Sequence, residues 1–137
     1  LVGSEMCIRD SLGATMENMR KGAAIMGQTS LPVGQKDSNC VIAAHRGYRG
    51  IPYFRDIEQL KTGDQVIIRN PWERLDYRVT KIKVIDPYDM DKILIQKGKD
   101  MVTLLTCHPY RGHGRYRYVV YCMRNHGQKI RKQKEDR

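Results

Sequence analysis

Thr103-Leu104-Leu105-Thr106-Cys107-His108-Pro109-Tyr110 begins as a strand and ends as a turn. With Val102 before it, the β-branched and aliphatic run from Thr103 to Leu105 fits a buried strand. Pro109 has no N–H to give to a central ladder, so the chain leaves the sheet near Cys107. A thiol therefore sits at the rim of a sheet, where a loop opens. A nucleophile can meet a substrate there, and inert cysteines are also common at such places.

Two other strands end in chemistry that complements a thiol. Val41-Ile42-Ala43-Ala44 is a small apolar run that stops at His45, followed by Arg46 and Gly47. Cys40, Ile42 and Ala44 share one face and Val41 and Ala43 the other, so both faces are apolar and the strand is expected to be central. Residues 115–122 (RYRYVVYC) read as a third strand. Arg115, Arg117, Val119 and Tyr121 share one of its faces; Tyr116, Tyr118, Val120 and Cys122 share the other. Both arginines point the same way, so alternation alone does not choose between them. Cysteine, histidine and arginine at or near strand ends supply a nucleophile, a proton carrier and an oxyanion stabiliser.

Three motifs, the TLxTC pattern of Thr103–Cys107, the upstream His45-Arg46-Gly47 and the downstream Arg117, occur in the order found in sortases and resemble that family of cysteine transpeptidases. Thr29-Ser30-Leu31-Pro32-Val33-Gly34 and the Cys107-His108-Pro109-Tyr110 continuation are most similar to class C, the pilin-polymerising branch. The resemblance runs from about residue 22 to residue 124. It implies a mostly β fold, a closed barrel of about eight strands with one or two short helices. It implies Cys107 as nucleophile, His45 as proton carrier and Arg117 as oxyanion stabiliser. Arg117 is preferred to Arg115 because the aliphatic and aromatic run directly after it matches the family's last strand.

The reaction implied is cleavage of an LPxTG-type sorting signal on a surface protein or pilin through a Cys thioacyl intermediate. The acyl group is then joined to an amine, from a pilin lysine or a peptidoglycan precursor. No metal, organic cofactor or nucleic acid is implied. The implied location is the outer face of a Gram-positive cell membrane, with anchoring segments missing from this sequence.

With 137 residues the chain is long enough for one domain with a real core. Frequent glycine and proline and short strand-like runs fit a mostly β domain. The net charge of +10 and a pI near 9.6 point to an acidic partner: nucleic acid, anionic lipid or a cell-wall polymer. That charge and the Tyr116/Tyr118 pair also fit an alternative, a basic β-barrel that binds RNA without catalysis. It leaves the Cys/His/Arg set unexplained. Four cysteines, Cys7, Cys40, Cys107 and Cys122, show no metal-ligand spacing. No run of about 18 to 20 apolar residues is present.

The remaining chain divides as follows. Residues 1–12 read as a leader foreign to the family, residues 13–124 as the catalytic barrel, and residues 125–137 as a basic, disordered tail. Between Pro52 and Gly63, Phe54, Ile57 and Leu60 recur at every third position and predict a short helix, with Gly63 as its stop. Residues 65–69 read as a strand ended by the Asn70-Pro71 turn. Leu75, Tyr77 and Val79 alternate, then Ile82 and Val84 alternate in the opposite phase, which predicts a bulge or corner near Thr80-Lys81. Asp86, Asp89 and Asp91 lack the glycine and distal glutamate of a calcium loop and read as a solvated acidic loop.

Overall fold

The computed structural model describes residues 10–12, 19, 23–26, 34–46, 53–93, 95–109 and 114–125. These residues build one seven-stranded sheet from β1 (Asp10–Leu12), β2 (Ala23–Ile25), β3 (Ser38–Ala43), β4 (Gln65–Arg69), β5 (Arg74–Ile85), β6 (Asp100–His108) and β7 (Tyr116–Arg124). Their order across the sheet is β1-β2-β3-β6-β7-β5-β4. The mostly β class is as expected, but the closed barrel of about eight strands is not what the described residues form. Closure needs the two edge strands to exchange hydrogen bonds, and here β1 and β4 stand at opposite ends of the order without pairing. Asp10–Leu12, placed in the leader by sequence, runs parallel to β2. Residues 1–9, the whole 27–33 segment and the tail from residue 126 lie outside the described residues.

The strand alternations carry over into two apolar layers. Cys40, Ile42 and Ala44 of the β3 segment join Val102 and Leu104 of β6 and Val120 and Cys122 of β7 in one layer. Val41, Met101, Val119 and Tyr121 lie in the other. Every residue of β3 is buried, which is what a strand apolar on both faces requires. β3 pairs in parallel with β6, and β6 pairs antiparallel with β7.

The predicted corner is present: the register of β5 against β7 shifts between Val79 and Lys81, leaving Thr80 as the extra residue. The predicted helix between Pro52 and Gly63 is instead a turn at residues 53–56 followed by a single 3-10 turn, Ile57–Gln59. Phe54, Ile57 and Leu60 are all buried on one side of it. Their strict spacing of three matches the 3.0 residues per turn of a 3-10 helix better than the 3.6 of an α-helix. Gly63 closes the segment at φ +95°, a conformation open to glycine, and its N–H donates to the Val79 carbonyl at 2.7 Å.

At the end of the sheet away from Cys107, Asp100 accepts a hydrogen bond from the Tyr77 hydroxyl at 2.8 Å and pairs with Arg124 Nη1 at 3.2 Å. This part-buried set ties β5, β6 and β7 together. Cys122 is fully buried nearby in the first layer, and desolvation pushes its thiol up to about 12. Below the usual thiol range both the folded and the unfolded chain hold this proton. Above about pH 9 the unfolded chain loses it and the folded chain keeps it, so stability falls as pH rises toward about 12. Cys122→Ala should remove part of that alkaline fall, whatever it costs in packing. Denaturant midpoints of both proteins at about pH 8 and about pH 10.5 check this, and equal slopes would contradict it.

Candidate active site

The β6–β7 register and the end of β3 bring the distant residues 45, 107 and 117 to one end of the sheet. Cys107 and Arg117 are direct partners across β6 and β7. Such cross-strand pairs hold their Cβ atoms about 4.5–5.5 Å apart. Ala43 is level with Leu105 in the last pair of the parallel β3–β6 ladder, and His45 follows two residues beyond it, as Cys107 does on β6. Alternation also fixes a common face for Cys107 and Arg117. Val102 and Leu104 belong to the first layer, so Cys107 points to the second, as does Arg117 two residues before Val119. Cys107 is partly exposed, whereas Cys40 and Cys122 are buried. Arg115 precedes β7 and is exposed.

Both threonines of the TLLTC run hold β6 against β3. Thr106 Oγ1 donates to the Ala44 carbonyl at 2.7 Å, clamping the end of β3 beside the end of β6. Thr103 Oγ1 donates to Asn39 Oδ1 at 2.7 Å, and Asn39 Nδ2 donates to the Ile93 carbonyl at 3.0 Å. These buried polar groups satisfy one another and pin the β3–β6 register. Beyond β3, the Phe54 N–H donates to the His45 carbonyl at 3.0 Å, and the Tyr53 ring lies 6.2 Å from the His45 ring. Tyr53 is buried and held at φ +43°, so packing there overrides the backbone preference of a tyrosine.

Arg117 is oriented by backbone. Its Nη1 donates to the Gly114 carbonyl at 2.6 Å and to the Tyr116 carbonyl at 3.0 Å. Gly114 has φ +65°, and a Cβ built on it would lie 3.4 Å from Cys107 Sγ and 3.7 Å from Arg117 Nη1. The left-handed turn is what asks for glycine there, and it brings the loop into van der Waals contact with the sulfur. Residues 110–113 of the same loop lie outside the described residues.

On the face of the sheet opposite Cys107 lies a charged set that the sequence reading passed over. Arg46 is buried and its guanidinium sits 5.5 Å over the Tyr118 ring. Glu58, from the 3-10 turn, approaches Arg46 Nη2 at 2.9 Å and His108 Nδ1 at 3.3 Å. The second contact lacks hydrogen-bond geometry. Hydrogen bonding to Arg46 holds the Glu58 carboxyl below its usual range. His108 also packs 5.5 Å from the Tyr118 ring. Tyr118, half of the tyrosine pair read as a platform for RNA bases, thus already packs against Arg46 and His108.

The family model described as Sortase domain matches residues 2–125. The chain is 27% identical over 111 residues to Sortase D of Bacillus subtilis (strain 168), covering 80% of this chain and 53% of that protein. It is 30% identical over 107 residues to Sortase A of Bacillus anthracis, covering 78% of this chain and 49% of that one. Among solved structures, Sortase C of Streptococcus pneumoniae superposes with a TM-score of 0.83 at 35% identity, over 86% of this chain and 62% of its own. Sortase C2 of group B Streptococcus pilus island 1 gives 0.83 at 36%, over 86% and 66%. The chain spans about half the length of the curated relatives it matches. These comparisons support no RNA-binding reading.

Proposed function

The chain belongs to the sortase family, and from that premise we propose that it is the catalytic domain of a cysteine transpeptidase of the class C, pilin-joining kind. The observation that supports this most is that Cys107 pairs with Arg117 across β6 and β7 while His45 follows the end of the neighbouring β3. In the proposed reaction an LPxTG-type sorting peptide lies along the face that carries Cys107. The Cys107 sulfur attacks the threonine carbonyl of the motif, and negative charge develops on its oxygen. Arg117 stabilises that oxygen with its guanidinium. The threonine–glycine C–N bond breaks, and His45 gives a proton to the leaving amine. A thioester to Cys107 remains. An acceptor amine, a pilin lysine or a peptidoglycan precursor, then attacks the thioester and frees the thiol. None of these steps uses a metal or organic cofactor.

The parent protein in this reading works at the outer face of a Gram-positive membrane. The basic tail, outside the described residues, would lie near anionic head groups. Among the described residues no helix is long and apolar enough to cross a membrane.

The test is incubation of the domain with an LPxTG-type peptide and an amine such as a lysine-containing pilin peptide, with products read by mass spectrometry. The expected product is the N-terminal part of the peptide joined to the amine. Neither cleavage nor joining across a panel of sorting motifs would overturn the proposal.

The two arginines are separated by the same assay. Arg117 pairs with Cys107 from within β7, whereas Arg115 is outside the strand. Arg117→Ala is expected to lower kcat by about 10² to 10³, the usual effect of losing one oxyanion donor. Arg117→Lys keeps the charge but loses the planar fork, and should also be costly. Arg115→Ala should fall well short of either. Loss of kcat in Arg115→Ala with none in Arg117→Ala would swap the assignment.

A further inference from the structure

β3 stops one ladder position short of where β6 needs it. Ala44 N–H donates to the Leu105 carbonyl at 3.2 Å, the last rung of the parallel ladder. In a continuing parallel pair the next donor would be the backbone N–H of residue 46, and the next acceptor the Cys107 carbonyl. The chain has turned away by then, and the Arg46 side chain supplies the bond instead: Nη1 donates to the Cys107 carbonyl at 3.2 Å. The other two guanidinium nitrogens anchor it. Nε donates to the Arg55 carbonyl at 3.1 Å, and Nη2 pairs with Glu58 Oε1 at 2.9 Å. Arg46 therefore ties the strand end that carries the thiol to the 3-10 turn.

We propose that Arg46 and Glu58 are positioning residues for Cys107: Arg46 replaces the missing ladder donor, and Glu58 holds Arg46 in the one orientation that reaches the Cys107 carbonyl. Neither residue lies on the face that carries the sulfur; both act through the backbone of β6. A guanidinium suits this place because it presents three donors in a fixed plane to three acceptors at once, which an ammonium on a flexible stem does not. Glu58 also touches His108, the residue after the nucleophile, at 3.3 Å, so it bears on the rim of β6 from two sides. The carboxylate is about half exposed, so its removal opens no core cavity.

The inference rests on the transpeptidase reading only in its kinetic part. The decisive variants are Glu58→Ala, Glu58→Gln and Arg46→Lys, each followed by sorting-peptide kinetics, thermal melting and amide hydrogen exchange. Small displacements of a reacting group can cost up to about 10² in rate, and a loosened strand end should cost Glu58→Ala about tenfold in kcat, with KM within about twofold. Glu58→Gln keeps an oxygen acceptor for Arg46 and should recover most of that loss. Arg46→Lys should resemble Glu58→Ala. Deuterium uptake in Glu58→Ala should rise at residues 105–109 while the melting temperature and the rest of the sheet stay as in the wild type. Wild-type kcat together with wild-type exchange at residues 105–109 in Glu58→Ala would overturn the inference, as would a loss recorded in KM alone. If the wild-type domain turns over no sorting peptide, the functional reading fails, and exchange at residues 105–109 still decides the positioning role.

Discussion

Cys107→Ala is expected to abolish cleavage and joining of a sorting peptide while the domain stays folded. The substitution removes the sulfur of the Cys107–Arg117 pair across β6 and β7 and leaves the backbone bonds of β6 untouched. Losing the nucleophile of a covalent mechanism costs about 10⁶ in kcat in well-studied hydrolases, so residual turnover should be undetectable in an ordinary peptide assay. Fold retention follows from the site: Cys107 is at the rim and partly exposed, so truncation leaves no closed cavity. Cys40→Ala and Cys122→Ala should show the opposite pattern, reduced stability with chemistry intact, because both thiols are packed within the first apolar layer. The check is the rate of peptide loss beside the melting temperature for all three variants. A well-folded but inactive Cys122→Ala, with Cys107→Ala active, would mean that the wrong thiol had been chosen.

His45→Ala should follow, with a loss of about 10² to 10⁴ in kcat, the usual contribution of one positioned acid–base group. His45 follows the end of β3 beside β6, where its carbonyl accepts from the Phe54 N–H and its ring packs near Tyr53. The variant keeps Thr106 bonded to the Ala44 carbonyl, so the strand ends should not separate. The check is kcat for His45→Ala beside the wild type on one sorting peptide, and wild-type kcat in the variant would remove histidine from the mechanism.

The sequence carried the strands well where alternation was clean. Val41 and Ile42 point to opposite faces and both faces are apolar, so a central β3 was legible; so was the corner at Thr80, because Val79 and Ile82 break phase. The 52–63 segment was legible as a buried ridge but not as a 3-10 turn, since spacing by three was read as one face of an α-helix. The Arg117 preference came from family likeness, since alternation puts both arginines on one face; that β7 begins at Tyr116 and leaves Arg115 outside is not encoded in that alternation.

The partners of Arg46 were out of reach for the sequence reading. The Cys107 carbonyl becomes available only because β3 ends early in a parallel pairing, and Glu58 meets Arg46 across a turn whose path no local pattern encodes. The two threonines of TLLTC were read as pattern, and their bonds to Asn39 and Ala44 depend on the same long-range register.

The central claim is a thioester on Cys107. The most direct measurement is acid quench of the domain during turnover of a sorting peptide without acceptor amine, followed by proteolysis and mass spectrometry of the fragment spanning residues 100–115. This fragment is expected to carry the acyl part of the peptide on Cys107, to lose the adduct on adding an acceptor amine, and to show none in Cys107→Ala. Turnover with no adduct on Cys107, or with the adduct on Cys40 or Cys122, would contradict it.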